Sequence, residues 1–418
     1  METMTNTTKE NQLIQSLKSS YSSPVAKTFM RIQNESAARL NDLTFPNSRV
    51  EYWKYTRTGQ IANKMWAFST QKEAEIPENL PVSKYRMVFV NGYFNQEKSI
   101  LPEIEGLSIR PFSESSLDQK IAQGDDDIFK ALNTAMPQDG YIIHLIRDVI
   151  VEDPIQMVFL YEGNLTIVQP RSFVKLESGS GLKVSEFHIH ANGSRVFANI
   201  HSEVSVHNNA HYKIDIVQQG SEHGFHLHET FGEQDKNCTY SQNTFTLSGN
   251  WTRNNSTIRL TGEHSECNIN GFYIPNLKEH IDNHTIIDHE KPNCESNELY
   301  RGVLIDKSTG VFNGKVFVRQ DAQKTNAFQS NGNIIFSDTA TMNSKPELEI
   351  YADDVKCSHG STTGQLDDEA IFYLMARGLS RESARKLLIN AFAEDVLEKL
   401  VNENLRPIIE ETINTKLA

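Results

Sequence analysis

Between Gly140 and about Ile350 the chain is written in short alternations of apolar and polar residues. Tyr212/Ile214/Ile216, Phe245/Leu247, Ile258/Leu260, Val316/Val318 and Ile334/Phe336 each repeat with period two, the spacing that lines one face of a strand. Asn-Gly, a tight-turn signal, recurs at 192–193, 313–314 and 331–332, and no amphipathic helix interrupts the span. Many short strands of this kind predict an all-β core, either a sandwich or a parallel β-helix of stacked coils. Internal identity sets no repeat length.

The two ends follow a different rhythm. Before Pro46, Leu13, Leu17, Val25, Phe29, Ile32, Ala37 and Leu40 recur at helical spacing, and Glu51-Tyr52-Trp53-Lys54-Tyr55-Thr56 reads as an aromatic packing anchor. A Pro-containing linker over 71–84 leads to Met87-Val-Phe-Val-Asn91-Gly92-Tyr-Phe, where Asn-Gly between apolar pairs predicts a hairpin. After the strands, Asp367 or Asp368 caps a helix presenting Ala370, Ile371, Leu374 and Met375, with Gly378 as its stop. Ser380 opens a second helix, whose stripe of Ala384, Leu387, Leu388, Ala391, Phe392, Val396, Leu397 and Leu400 must be buried. The expected organisation is a helical and mixed domain over 1–137, a β core over 138–352 and a helical domain over 353–418.

Charge and cysteines narrow the class. The 418 residues carry a net charge of −13 without a Lys/Arg block, which argues against nucleic acid as partner. No apolar segment suits a signal peptide or a membrane span, so a soluble cytoplasmic protein is expected. Cys238, Cys267, Cys294 and Cys357 lie far apart with no Cys-x-x-Cys, as suits reduced thiols. The sequence lacks a Gly-x-x-x-x-Gly-Lys-[Ser/Thr] loop, so any ATP dependence must come from a partner.

All but one of the 14 histidines fall in the β region. His188-Ile-His190 and His226-Leu-His228-Glu229 each point two imidazoles to one strand face, as metal sites do, with His223 close by. Gly220 to His228 opens like a cupin motif, but Glu229 follows too early, and Pro275 to His280 with Asn283 only approximates the second motif. The preferred reading places these histidines on polar outer faces of strands, with a cupin-like, His-rich metalloenzyme as the alternative. A polysaccharide-active β-helix enzyme would need a cleft lined with paired carboxylates or a calcium cluster and is usually exported, and the unpaired Asp/Glu pattern and missing signal peptide argue against it.

At the junction of strands and helices stands Lys345-Pro-Glu-Leu-Glu-Ile-Tyr-Ala-Asp-Asp-Val-Lys-Cys357-Ser-His359-Gly-Ser-Thr, continuing through Gln365-Leu-Asp-Asp-Glu-Ala-Ile-Phe-Tyr-Leu-Met-Ala-Arg-Gly-Leu379. In extended backbone the thiol of Cys357 and the imidazole of His359 share a face. This stretch, with Glu298-Leu-Tyr-Arg-Gly302, Arg319 to Ser330 and the Glu51 to Thr56 motif, resembles the SufB/SufD family of iron–sulfur cluster assembly proteins. The likeness is tight over 290–400, loose over 40–60 and one of texture over 140–285. Ser330 stands where the SufB branch has its sulfur-accepting cysteine, and Gly360 where that branch has Glu, so the likeness is to the SufD branch.

That resemblance implies a right-handed parallel β-helix between helical domains, paired with SufB through the β-helices. It implies that the C-terminal helices dock the SufC ATPase, through Phe372, Tyr373, Leu374, Arg377, Leu379 and Leu387. A nascent iron–sulfur cluster would form transiently at the SufB interface beside His359 and Cys357, with His359 as a transient metal ligand and no cofactor permanently bound. A homodimer is expected when the partners are absent. The chain would be a non-catalytic scaffold.

Overall fold

Trp251 pairs in parallel with His280 and His280 with Thr309, each partner lying 29 residues further along. This register arises because each coil contributes one strand to each of two sheets before the chain returns beside its own start. A computed structural model, describing residues 2–22, 29–70, 73–114 and 127–417, shows a β-solenoid of about eight coils. One sheet has 11 strands and the other 10, and along each core successive neighbours are alternate strands of the sequence. Solenoid pairing reaches beyond 138–352: Tyr85–Val90 runs parallel to Ile155–Tyr161, and Lys356–Gly364 closes the second sheet beside Asn326–Ile335. Val25, expected on a helix, lies outside the described residues.

The period-two runs divide between two environments. Tyr212, Ile214, Ile216, Ile258, Leu260, Val316 and Val318 face the lumen, whereas Phe245 and Leu247 face outward beneath helices. Each fully buried large side chain contributes roughly 1.5–3 kcal/mol of transfer free energy, so both faces of the sheets stabilise the fold. On the 11-stranded sheet, Trp53, Trp66, Phe129 and Leu132 of the N-terminal part cover Phe197, Phe225, Leu227 and Trp251. On the other, Ile389, Ala393, Val396, Ile409 and Ile413 cover Val158, Phe187, Val217 and Phe272.

The Glu51 to Thr56 motif is the anchor its aromatics predicted. Arg253 from the sheet lies 3.9 Å over the Trp53 ring, donates to the Tyr52 carbonyl at 2.9 Å and to Asp282 at 2.7 Å. Thr56 joins the same group through His280 at 2.9 Å.

Turn chemistry was legible in two places only. Asn91 and Gly92 both have positive φ, 48° and 76°, and form the expected hairpin between Tyr85–Val90 and Tyr93–Ile100. Asn192-Gly193 is also a turn. Asn313-Gly314 and Asn331-Gly332 lie instead in mid-strand. A Cβ at Gly314 would stand 2.2 Å from Gln329 Nε2, so this glycine makes room for a lumen side chain. The corners are turned by single left-handed residues, Asn209, Asn237, His264, Asn293 and Lys324. Each donates its backbone N–H to the next coil, as from Asn209 to Lys236 and from Asn237 to Glu263, both at 2.9 Å. Cys238 and Cys294 follow these residues and donate to carbonyls of the preceding coil. All four cysteines are unpaired, as expected of reduced thiols.

Candidate functional site

The last coil is built differently from those before it. Its strands, Thr341–Ile350 and Lys356–Gly364, each end a sheet, so one edge of each has no neighbouring strand among the described residues. Backbone N–H and C=O groups along such an edge are ready to pair with another chain. A polar network closes the lumen behind it: Tyr273 OH donates to Asn333 Oδ1 at 2.6 Å, Asn333 Nδ2 to Asn331 Oδ1 at 2.7 Å, and Ser344 Oγ to Asn331 Oδ1 at 2.9 Å. The Ser344 and Ser361 hydroxyls, 2.7 Å apart, tie the two final strands together.

On this coil Cys357 stands in register with Ala327 and His359 with Gln329. Ala327 and Gln329 are buried and face the lumen, so alternation turns Cys357 and His359 to the same side, at the mouth of the solenoid. Cys357 is half-buried against the lumen core, while His359 is exposed. Burial pushes the Cys357 thiol above its ordinary pKa. Beneath His359 runs a column of lumen residues, Gln329 and then Glu298, one per coil. Ser330 faces outward and accepts a hydrogen bond from Arg301 at 3.2 Å, while Arg301 pairs with Asp395 of the C-terminal helices at 2.9 Å.

The helices that follow carry a second surface. Asp367 caps Asp368–Ala376 by accepting from Glu369 N, Gly378 ends it with φ 96°, and Ser380 caps Arg381–Leu397. Ile371, Ala384, Ile389, Ala393, Val396 and Leu397 are buried. Leu387 and Ala391, expected in that stripe, point outward, because burial follows the Ala384, Ile389, Ala393 and Val396 face. Leu387 is 50% exposed and Phe372 73% exposed; Tyr373, Met375 and Leu379 are also exposed, and Leu374 is half-buried. Arg377 stacks 4.8 Å over the Tyr373 ring. The third helix, Arg406–Lys416, was not anticipated; Pro407 at its start and Ile409 and Ile413 four apart were its signals.

Family models match nearly the whole chain: "SUF system FeS cluster assembly, SufBD core domain" over residues 159–392 and "SufBD protein N-terminal region" over residues 4–157. The chain is 31% identical over 386 residues to the iron–sulfur cluster assembly protein SufD of Escherichia coli, covering 89% of each. The chain belongs to the SufBD family. Among other members, it is 30% identical to a SufBD family protein of Synechocystis over 91% of this chain and 89% of that protein. It is 29% identical to the chloroplastic protein ABCI7 of Arabidopsis thaliana over 94% of this chain and 88% of that protein. Membership makes this chain a component of iron–sulfur cluster assembly. No helix among the described residues is long and apolar enough to cross a membrane.

The histidine motifs do not assemble a cupin. The fold is a solenoid, and His280 of the approximate second motif joins Thr56 on the outer face, far from the His226 motif in its bonding. His188, His190, His226 and His228 face the lumen, not the outer surface expected, because Phe187, Ile189, Phe225 and Leu227 take the outward positions beneath helices. His223 is an exposed turn residue. Glu186 continues the same inward alternation as His188 and His190, and that extension of the motif was its overlooked signal.

Proposed function

We propose that this chain is a non-catalytic scaffold subunit of the SUF complex, working in the cytoplasm. It pairs with SufB by adding strands at the open edges of the last coil, and a nascent iron–sulfur cluster forms transiently there, beside His359 and Cys357. The single observation that carries this reading is a thiol and an imidazole on one face at an unpaired solenoid edge. A neutral imidazole and a thiolate both ligate iron. Since burial favours the Cys357 thiol over the thiolate, the exposed His359 is the first ligand this chain offers, and Cys357 joins once positive charge from iron lowers its pKa. The SufC ATPase docks on Phe372, Tyr373, Leu374, Arg377, Leu379 and Leu387, and the exposed apolar area of Phe372, Tyr373, Leu379 and Leu387 suits a protein partner. The test is cluster formation by the reconstituted complex. His359→Ala and His359→Asn are expected to leave complex composition intact and slow cluster formation by about tenfold or more, with His359→Cys retaining more activity. Cluster formation at the unmodified rate in the Ala variant would return the site to SufB alone.

A further inference from the structure

Four histidines meet in one closed chamber inside the solenoid. The strand Gly181–His190 turns Glu186, His188 and His190 inward, and Phe225–Gln234 of the opposite sheet turns His226 and His228 to face them. All five are buried. The His188 ring centre lies 4.9 Å from that of His226 and 5.1 Å from that of His228. One ligand atom from each of His188, His226 and His228 lies within 4.8 Å of the other two. Two nitrogens on one ion, each bonded at about 2.0–2.1 Å, are at most about 4 Å apart. Small side-chain rotations therefore bring all three onto a single centre.

Structural histidines in a core bond to their neighbours, and part of this cluster does so. His188 Nδ1 is 2.8 Å from Tyr161 OH, its Nε2 is 2.6 Å from Glu186 Oε1, and His228 Nε2 is 3.1 Å from Ser202 Oγ. His190 does not. Both its ring nitrogens are buried without a hydrogen-bond partner, while its ring packs 4.8 Å from that of Tyr161 and 5.8 Å from that of His226. A buried polar group without a partner is costly and calls for an occupant. Beside the cluster is a cavity of about 10 Å³, lined by Glu186, His228, Ser202 and Tyr141, roughly the room one water or one ion needs.

We propose that this chamber binds a divalent first-row transition ion of the zinc and ferrous class, held by His188, His226 and His228 with Glu186 and His190 as adjacent donors. Three imidazoles and a carboxylate, without a thiolate, are the donor set such borderline cations prefer. The site is independent of the last coil, since Gly181–His190 and Lys356–Gly364 are six strand spacings apart in one sheet, about 29 Å.

The full chain, refolded from denaturant with Co²⁺ as the probe so that the closed lumen is no barrier, tests this. About one equivalent should survive gel filtration, with visible bands of nitrogen and oxygen ligation, no thiolate-to-cobalt charge transfer, and a raised unfolding temperature. His226→Gln and His188→Gln should each weaken retention about tenfold or more, while Cys357→Ser with His359→Ala leaves it unchanged. If the histidine variants fail to fold, the unmodified chain and the Cys357→Ser/His359→Ala chain decide: retained cobalt with a thiolate-free spectrum in both supports the site. No retained cobalt, a thiolate band, or loss on removing Cys357 and His359 overturns it.

Discussion

Glu298 lies one coil below Gln329 and two below His359, with its carboxylate accepting from Gln329 Nε2 at 2.6 Å and from the Thr285 hydroxyl. Burial is the larger influence and pushes its pKa up to about 7, against the downward pull of these bonds. The folded value is thus above the unfolded one, so the folded state binds the proton more tightly. The stability this gives is fully present below the ordinary carboxyl range and is lost as pH rises through about 7. Glu298→Gln removes the titration while keeping the shape. The stability of this variant relative to the native chain should therefore rise by about 1.4 kcal/mol per pH unit between roughly pH 4.5 and 7 and level off above. Urea denaturation midpoints across that range measure it, and parallel curves for the two proteins would show that Glu298 does not titrate there. Nothing local in Asn297-Glu298-Leu299 signals such a group. Its hydrogen-bond partners, Gln329 and Thr285, sit on two other strands, and only the fold brings them together.

The C-terminal helices show how far an element can be read from its own residues. Caps were legible, because Asp367, Gly378 and Ser380 act on backbone groups within a few positions. The buried face was only partly legible, since Leu387 and Ala391 keep helical spacing with Ala384 and Leu388 but fall on the side the sheet does not reach. What decides is the position of the sheet, to which Lys399 O and the Val401 and Asn402 N–H groups are tied by Asn243 and Asp215. The face left over is the proposed docking surface. Phe372→Glu and Leu387→Glu should each weaken SufC binding by about 2 kcal/mol, since each would bury an unpaired carboxylate where the docked surfaces exclude water. Because neither side chain is in the core, unfolding temperature should stay within a few degrees. Calorimetric titration with SufC checks this, and unchanged affinity in both variants would move the docking surface elsewhere.

At the scale of the whole molecule, the solenoid was legible as texture and not as a repeat. Trp251 follows its partner Phe225 by 26 residues, whereas Thr341 follows Thr309 by 32, so the coils do not superimpose in sequence. The recurring feature is a left-handed residue and one backbone bond to the next coil, a demand that Asn meets best but that His264 and Lys324 also meet. The meeting of His188 with His226 and Tyr161 was illegible for the same reason, as it depends on coil length. A repeating solenoid also leaves an end, and here Lys356 N bonds to Thr325 O across the sheet. In a parallel ladder alternate residues then turn their N–H groups to the free edge, namely Cys357, His359, Ser361 and Thr363. A contact between two copies of one edge about a two-fold axis is antiparallel and self-complementary. The isolated chain should therefore form a dimer through this strand, and SufB, if it takes this edge as proposed above, should displace one copy for the other. Proline at Thr363 removes one outward N–H without breaking the internal ladder. Thr363→Pro should leave the unfolding temperature nearly unchanged and shift the isolated chain toward monomer in sedimentation at micromolar concentration. A chain that is monomeric without the substitution, or a dimer indifferent to both Thr363→Pro and added SufB, would place the self-contact away from the last coil.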